Sequence, residues 1–66
     1  MFKGKVIKLN EADYAAWEKR FTNIDLNVLL TKQDEWYSQQ GIKNWFLRLE
    51  RYLHNANERS RFEYRF

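Results

Sequence analysis

The run Lys43-Asn44-Trp45-Phe46-Leu47-Arg48-Leu49-Glu50-Arg51-Tyr52, continued to Arg59, holds the residues of this chain best suited to chemistry. Cations (Lys43, Arg48, Arg51, Arg59), side-chain amides (Asn44, Asn55) and two amphipathic rings (Trp45, Tyr52) recur there every few positions. Guanidinium and ammonium groups replace the counterions of a phosphate backbone, and flat rings offer unpaired bases a stacking surface. These types therefore support binding of a nucleic acid. Arg and Asn also serve base edges. Reading a groove with one helix needs a helix-turn-helix geometry, with which the turn around Gln39-Gln40-Gly41-Ile42-Lys43 is compatible without requiring it.

The residues of catalysis are not so arranged. Ser38 and Ser60 lie in no nucleophile context, the single histidine, His54, has no partner at triad-like spacing, and no Gly-rich loop waits for phosphates. Asp34 and Glu35 are neighbours, and neighbouring helical residues point about 100° apart, so they form no acid–base pair and are assigned to a solvated face. Without cysteine, and with only carboxylates to join His54, neither a disulfide nor a metal is expected. The chain reads as non-enzymatic, with no catalytic residues and no cofactor.

Three helices would position the basic and aromatic residues. The third, about residues 43–58, has a seam of Ile42, Phe46, Leu49, Leu53 and Ala56 at alternating spacings of four and three, which assigns these residues to the core. Trp45 and Tyr52 flank that seam. Arg48, Arg59, Asn55, Asn44 and Arg51 follow further round on the same side, while Lys43, Glu50 and His54 stand on the other. The first helix, about 11–21, starts at the cap Asn10 and buries Tyr14, Trp17 and Phe21. The second, 26–40, starts at the cap Asp25, carries Leu26, Leu29, Leu30, Trp36 and Tyr37 on one face with Gln33, and stops at Gly41.

Residues 2–9 mix β-branched side chains with lysines and read as a short edge strand. At the other end Phe62, Tyr64 and Phe66 alternate with Arg61, Glu63 and Arg65, the period of a half-buried strand over 61–66. Pairing the two terminal strands satisfies both ladders; the competing reading of the tail is a frayed helical continuation or a disordered end. The expected fold is thus α+β and mainly helical: one domain over 1–66, a three-helix bundle with a short antiparallel pairing of its N- and C-terminal strands.

A domain of 66 residues buries only about 60% of its unfolded surface. Five Phe, four Tyr and three Trp are its means of filling a core without staples. The net charge of +3 is mild but unevenly spread. Lys3, Lys5 and Lys8 make the first ten residues basic, residues 11–40 are acidic on balance, and residues 41–66 are basic again. That segregation also permits the alternative in which Trp45 and Tyr52 complete the core and the arginines pair with Glu50, Glu58 and the acidic helices. No run of about 18 apolar residues is present, and the lysine-rich start lacks a signal-peptide core, so no membrane partner is expected and the location is read as cytoplasmic.

Three stretches, "FKGKVIKLNEADYAAWEKRF", "NIDLNVLLTKQDEWY" and "KNWFLRLERYLHNAN", together resemble a short module at the C-terminal end of phage replisome-organiser and primosome-type replication proteins. In that module a G-K/R-x-I-K/R-L start leads to a D-Y/F-x-x-W helix, an I-D-L turn with a helix ending in D-D/E-W, and a K-N-W-F helix. Residues 2 to about 57 are covered. The tryptophan pattern is also similar to the helical C-terminal domain of DnaT-type primosomal proteins, which binds single-stranded DNA. The resemblance implies a DNA-handling accessory module of phage or bacterial replication initiation and points to Lys43, Asn44 and Trp45. The expectation is a nucleic-acid binder, single-stranded DNA favoured, contacting it through Lys43, Asn44, Trp45, Arg48, Arg51, Tyr52, Asn55 and Arg59. The alternative is a phage-type protein–protein interaction protein or inhibitor, such as an anti-CRISPR, docking on a host or phage protein with the same face. A homodimer is a third outcome.

Overall fold

The computed structural model describes the backbone of residues 1–63 and the side-chain environments of residues 1–61. Two short strands, β1 (Phe2–Lys3) and β2 (Lys8–Leu9), are followed by helices α1 (Glu11–Arg20), α2 (Leu26–Gln40) and α3 (Phe46–Glu63).

The N-terminal segment is not one strand over 2–9. It folds back on itself, pairing β1 with β2 antiparallel in the register Phe2 to Leu9 and Lys3 to Lys8. The Gly4 N–H donates to the Ile7 carbonyl at 2.8 Å and closes the turn. The next three N–H groups, of Lys5, Val6 and Ile7, point at a carboxylate from α2, which replaces the partner strand that a straight segment would need. The hairpin is the described sheet, and among the described residues the tail does not pair with it: residues 61–63 continue α3 as helix. The rest of the expected tail strand, 64–66, lies outside the described residues.

The caps of the first two helices follow the sequence. The Asn10 side chain accepts from the Asp13 N–H at 2.8 Å, and the Asp25 side chain accepts from the Val28 N–H. Gly41 adopts φ 67°, and N–H bonds from Gly41 to the Ser38 carbonyl and from Ile42 to the Tyr37 carbonyl complete a Schellman stop. After that stop, residues 42–45 form a link without regular structure. α3 therefore opens at Phe46, later than the expected 43, with the Trp45 carbonyl accepting the first helical bond from the Leu49 N–H.

The buried apolar cluster comprises Ile7 and Leu9 from the hairpin, Trp17 and Phe21, Leu26, Leu30 and Tyr37, and Leu49 and Leu53, with the half-buried Phe2 of β1 packed against it. The expected seam of α3 is corrected at its ends. Leu49 and Leu53 are fully buried, but Phe46, in the first turn, is 40% exposed although its ring centre stands 5.3 Å from Trp17. Ile42 precedes the helix, Ala56 is half-buried, and the buried position one turn beyond Leu53 belongs to Asn57. The Asn57 side-chain oxygen accepts the Asn23 N–H at 2.8 Å, tying α3 to the loop between α1 and α2. On the far side of α3, Glu50 accepts from Arg20 of α1 at 3.0 Å. Glu50 is thus engaged with α1 and not with the arginines of its own helix.

Candidate nucleic-acid interface

The side of α3 turned from α1 faces α2, and the two helices leave a groove between them. Counted along α3, Arg48, Tyr52, Asn55 and Arg59 are spaced four, three and four apart and so fall on one stripe. One recess of the groove is walled by Lys32, Gln33 and Trp36 of α2 and by Arg48 and Tyr52 of α3, with the buried Tyr37 between them. A second recess shares Tyr52 and continues past Val28, Leu29, Asn55 and Arg59 to the turn at Asp25. Trp36 is 46% and Tyr52 36% exposed, so both rings present apolar surface to solvent beside two cations.

The electrostatics of the first recess show in Tyr37. Burial pushes its hydroxyl above the ordinary tyrosine value, the positive charge of Arg48 pulls it back, and Tyr52 adds a smaller upward push. Arg48 and Tyr52 are thus close enough to Tyr37 to act on its charge. Among the described residues the ion pairs are Lys5 with Glu35 and Arg20 with Glu50, and Lys32, Arg48, Arg51 and Arg59 take part in neither. The alternative in which α3 arginines are neutralised by Glu50 therefore does not hold for Arg48 and Arg51.

The eight residues singled out by sequence do not all meet. Arg48, Tyr52, Asn55 and Arg59 line the groove. Arg51 is exposed and lines neither recess. Lys43 and Asn44 are exposed on the link before α3. Trp45 is half-buried against the core, its ring centre 5.6 Å from Phe46, and with Lys43 and Lys5 it lines a separate recess at the end of α2. Its place beside Tyr52 is taken by Trp36, which the sequence groups on one face with Leu26, Leu30 and Tyr37. Leu26, Leu30 and Tyr37 mark the buried stripe of α2, and Trp36 stands about 100° from Tyr37 round that helix, which turns it out into the groove. Lys32, one turn before Trp36, comes with it.

The other correction concerns Asp34. It is buried, not solvated, and lies on the core stripe four residues after Leu30 and three before Tyr37. One carboxylate oxygen accepts from the Val6 and Ile7 N–H groups and the other from the Lys5 N–H, each at 2.8 Å. Burial raises its pKa, but the three backbone donors together with the Lys5 charge outweigh that and hold it below the ordinary carboxylate value. Gly4 is required there because a Cβ at that position would overlap the Asp34 carboxylate. Glu35 stays exposed, within 3.4 Å of the Lys5 amine.

A larger recess than either in the groove lies elsewhere, between α1 and the 21–25 loop leading into α2, and its lining includes Glu18 and Asp25. There Tyr14 donates to the Asn27 side chain at 2.8 Å, and its hydroxyl is pushed up by burial first and then by the charges of Glu18 and Asp25. Such a rim repels anions. Among the described residues no group of three or more His, Asp or Glu side chains could hold a metal ion, and no helix is long and apolar enough to cross a membrane. Comparison with protein families, with curated proteins and with solved structures finds no match for this chain.

Proposed function

We propose that the chain is a nucleic-acid-binding module for single strands, acting as an accessory in phage or bacterial replication. The observation that carries this reading is the groove between α2 and α3, where the exposed rings of Trp36 and Tyr52 stand among Lys32 and Arg48. A ring open to solvent can stack only on a base that is itself unstacked, which favours a single strand over a duplex. The cations beside the rings meet the phosphates of that strand, and Asn55 and Arg59 extend the contact along α3. The replication context rests on the sequence resemblance alone.

Fluorescence anisotropy with a labelled single-stranded oligonucleotide tests the reading. Binding should weaken steeply with salt, and Trp36→Ala and Tyr52→Ala should each cost about 1–3 kcal/mol, or about 5- to 150-fold in Kd. Salt-independent binding, or full affinity in an Arg48→Ala/Trp36→Ala variant that melts like the parent, would reject it.

A second reading, contact with a protein partner or with a second copy of the chain, is favoured by one observation. Leu47 is 74% exposed at the start of α3, next to Phe46 at 40%. If that patch makes a dimer, the mass from light scattering rises with concentration and Leu47→Ser abolishes the rise; a constant monomer mass removes the self-association form of this reading.

A further inference from the structure

We infer that a bound single strand does not end at the groove but follows one track around the C-terminal end of α2, with Lys43 as a further phosphate contact and Trp45 beside it. This inference rests on the single-strand reading above and names the course of the strand. Three recesses adjoin one another. Tyr52 lines both recesses of the groove, and the buried Tyr37 backs both the groove and the separate recess formed by Lys5, Val6, Ile42, Lys43 and Trp45. The connection is built into the fold, because the link from Gly41 to Trp45 carries the chain from the end of α2 to the start of α3, beside the Arg48 end of the groove.

The charges along this track favour a polyanion. Arg59, Arg48, Lys32 and Lys43 lie along it, and none belongs to an ion pair among the described residues. Lys5, at the far rim, is partly neutralised by Glu35 at 3.4 Å, and Asp25 closes the opposite end beyond Arg59, so the track has an acidic group at each limit. Its length is consistent with the molecule. From Arg48 to Arg59 the helix rises about 16 Å at ~1.5 Å per residue, and the path back to Lys43, two helical steps to Phe46 and then three steps of extended link at ~3.3 Å, adds at most about 13 Å. The total of about 30 Å fits within the longest dimension of 37 Å and at ~3.4 Å per stacked nucleotide corresponds to about nine nucleotides. The groove alone holds about five.

The test uses the full chain and labelled oligothymidines of about five and about ten nucleotides, lengths set by these spans. With about 0.7 counterions released per phosphate contact on a single strand, four cations give a slope of log K against log salt of about −3 for the longer oligomer, and three give about −2 for the shorter. Lys43→Gln, a change in an exposed link, should lower the longer oligomer's slope to about −2, weaken its binding, and leave the shorter oligomer as it was. If Lys43→Gln leaves both oligomers unchanged while Arg48→Ala weakens both, the track is overturned and the groove reading stands. If neither oligomer binds the parent chain, or Arg48→Ala changes neither, the groove reading fails and the track with it.

Discussion

Asp34→Asn should cost this protein a large share of its stability while leaving its shape a match for the site. The carboxylate takes three backbone N–H bonds of 2.8 Å, two on one oxygen and one on the other, in a position only 7% exposed. An Asn side chain keeps one carbonyl oxygen, which can still receive Val6 and Ile7, but turns an amide NH2 toward the Lys5 N–H, donor against donor. One charge-assisted bond is lost, worth about 1.5–3 kcal/mol, and the other two fall to neutral strength, about 1 kcal/mol less between them. The sum is about 2.5–4 kcal/mol, whereas a domain of this length has on the order of 3–10 kcal/mol in total. Urea melts followed by tryptophan fluorescence should show the midpoint fall at unchanged slope.

The pH dependence supplies an independent check of the same contact. The folded pKa of Asp34 is depressed, so its stabilisation is fully present above the ordinary aspartate value of about 3.9 and is lost as pH falls through the folded value below it. Between about pH 5 and pH 2 the parent should lose stability more steeply than the Asn variant, which has nothing to titrate at this position. A loss under about 1 kcal/mol at neutral pH, or parallel acid limbs in the two proteins, would show that the carboxylate does not hold the hairpin.

Gly4→Ala should destabilise by about 1–3 kcal/mol, since the new methyl meets the Asp34 carboxylate. In an Asp34→Ala background most of that cost should vanish, a coupling that a double-mutant cycle on urea melts measures directly. Leu53→Ala, at a fully buried site, should cost about 2–5 kcal/mol. Phe46→Ala, 40% exposed, should cost less despite removing the larger side chain, and the reverse order in thermal melts would contradict the placement of α3's seam.

Much of the fold is legible in local chemistry. Asn10, Asp25 and Gly41 mark helix ends that the chain obeys, because a cap is decided by a few neighbouring backbone groups. Leu49 and Leu53, Trp17 and Phe21, and Leu26, Leu30 and Tyr37 follow from period alone. What failed did so for want of long-range information. A lysine-rich segment with β-branched residues reads as a strand until a carboxylate from α2 gathers its N–H groups, and that carboxylate is 27–29 residues away. The alternation in the tail reads as a strand, yet α3 continues through residue 63.

The candidate site divides in the same way. Arg48, Tyr52, Asn55 and Arg59 were identifiable as one stripe because helical spacing places them together wherever α3 packs. Trp36 was grouped on one face with Leu26, Leu30 and Tyr37, whereas Leu29, Gln33 and Trp36 form a row beside that buried stripe, and a period does not tell which row meets the interior.

By itself, then, the sequence determined the three helices, their caps, most of the residues that fill the core and the basic stripe of α3, all of which depend on contacts within a turn or two. Only the tertiary structure decided that Asp34 anchors the hairpin, that Trp36 and not Trp45 stands across from Tyr52, and that Glu50 is taken by Arg20. Those outcomes depend on the rotation of each helix about its own axis, and that rotation is set by the joint packing of all the elements.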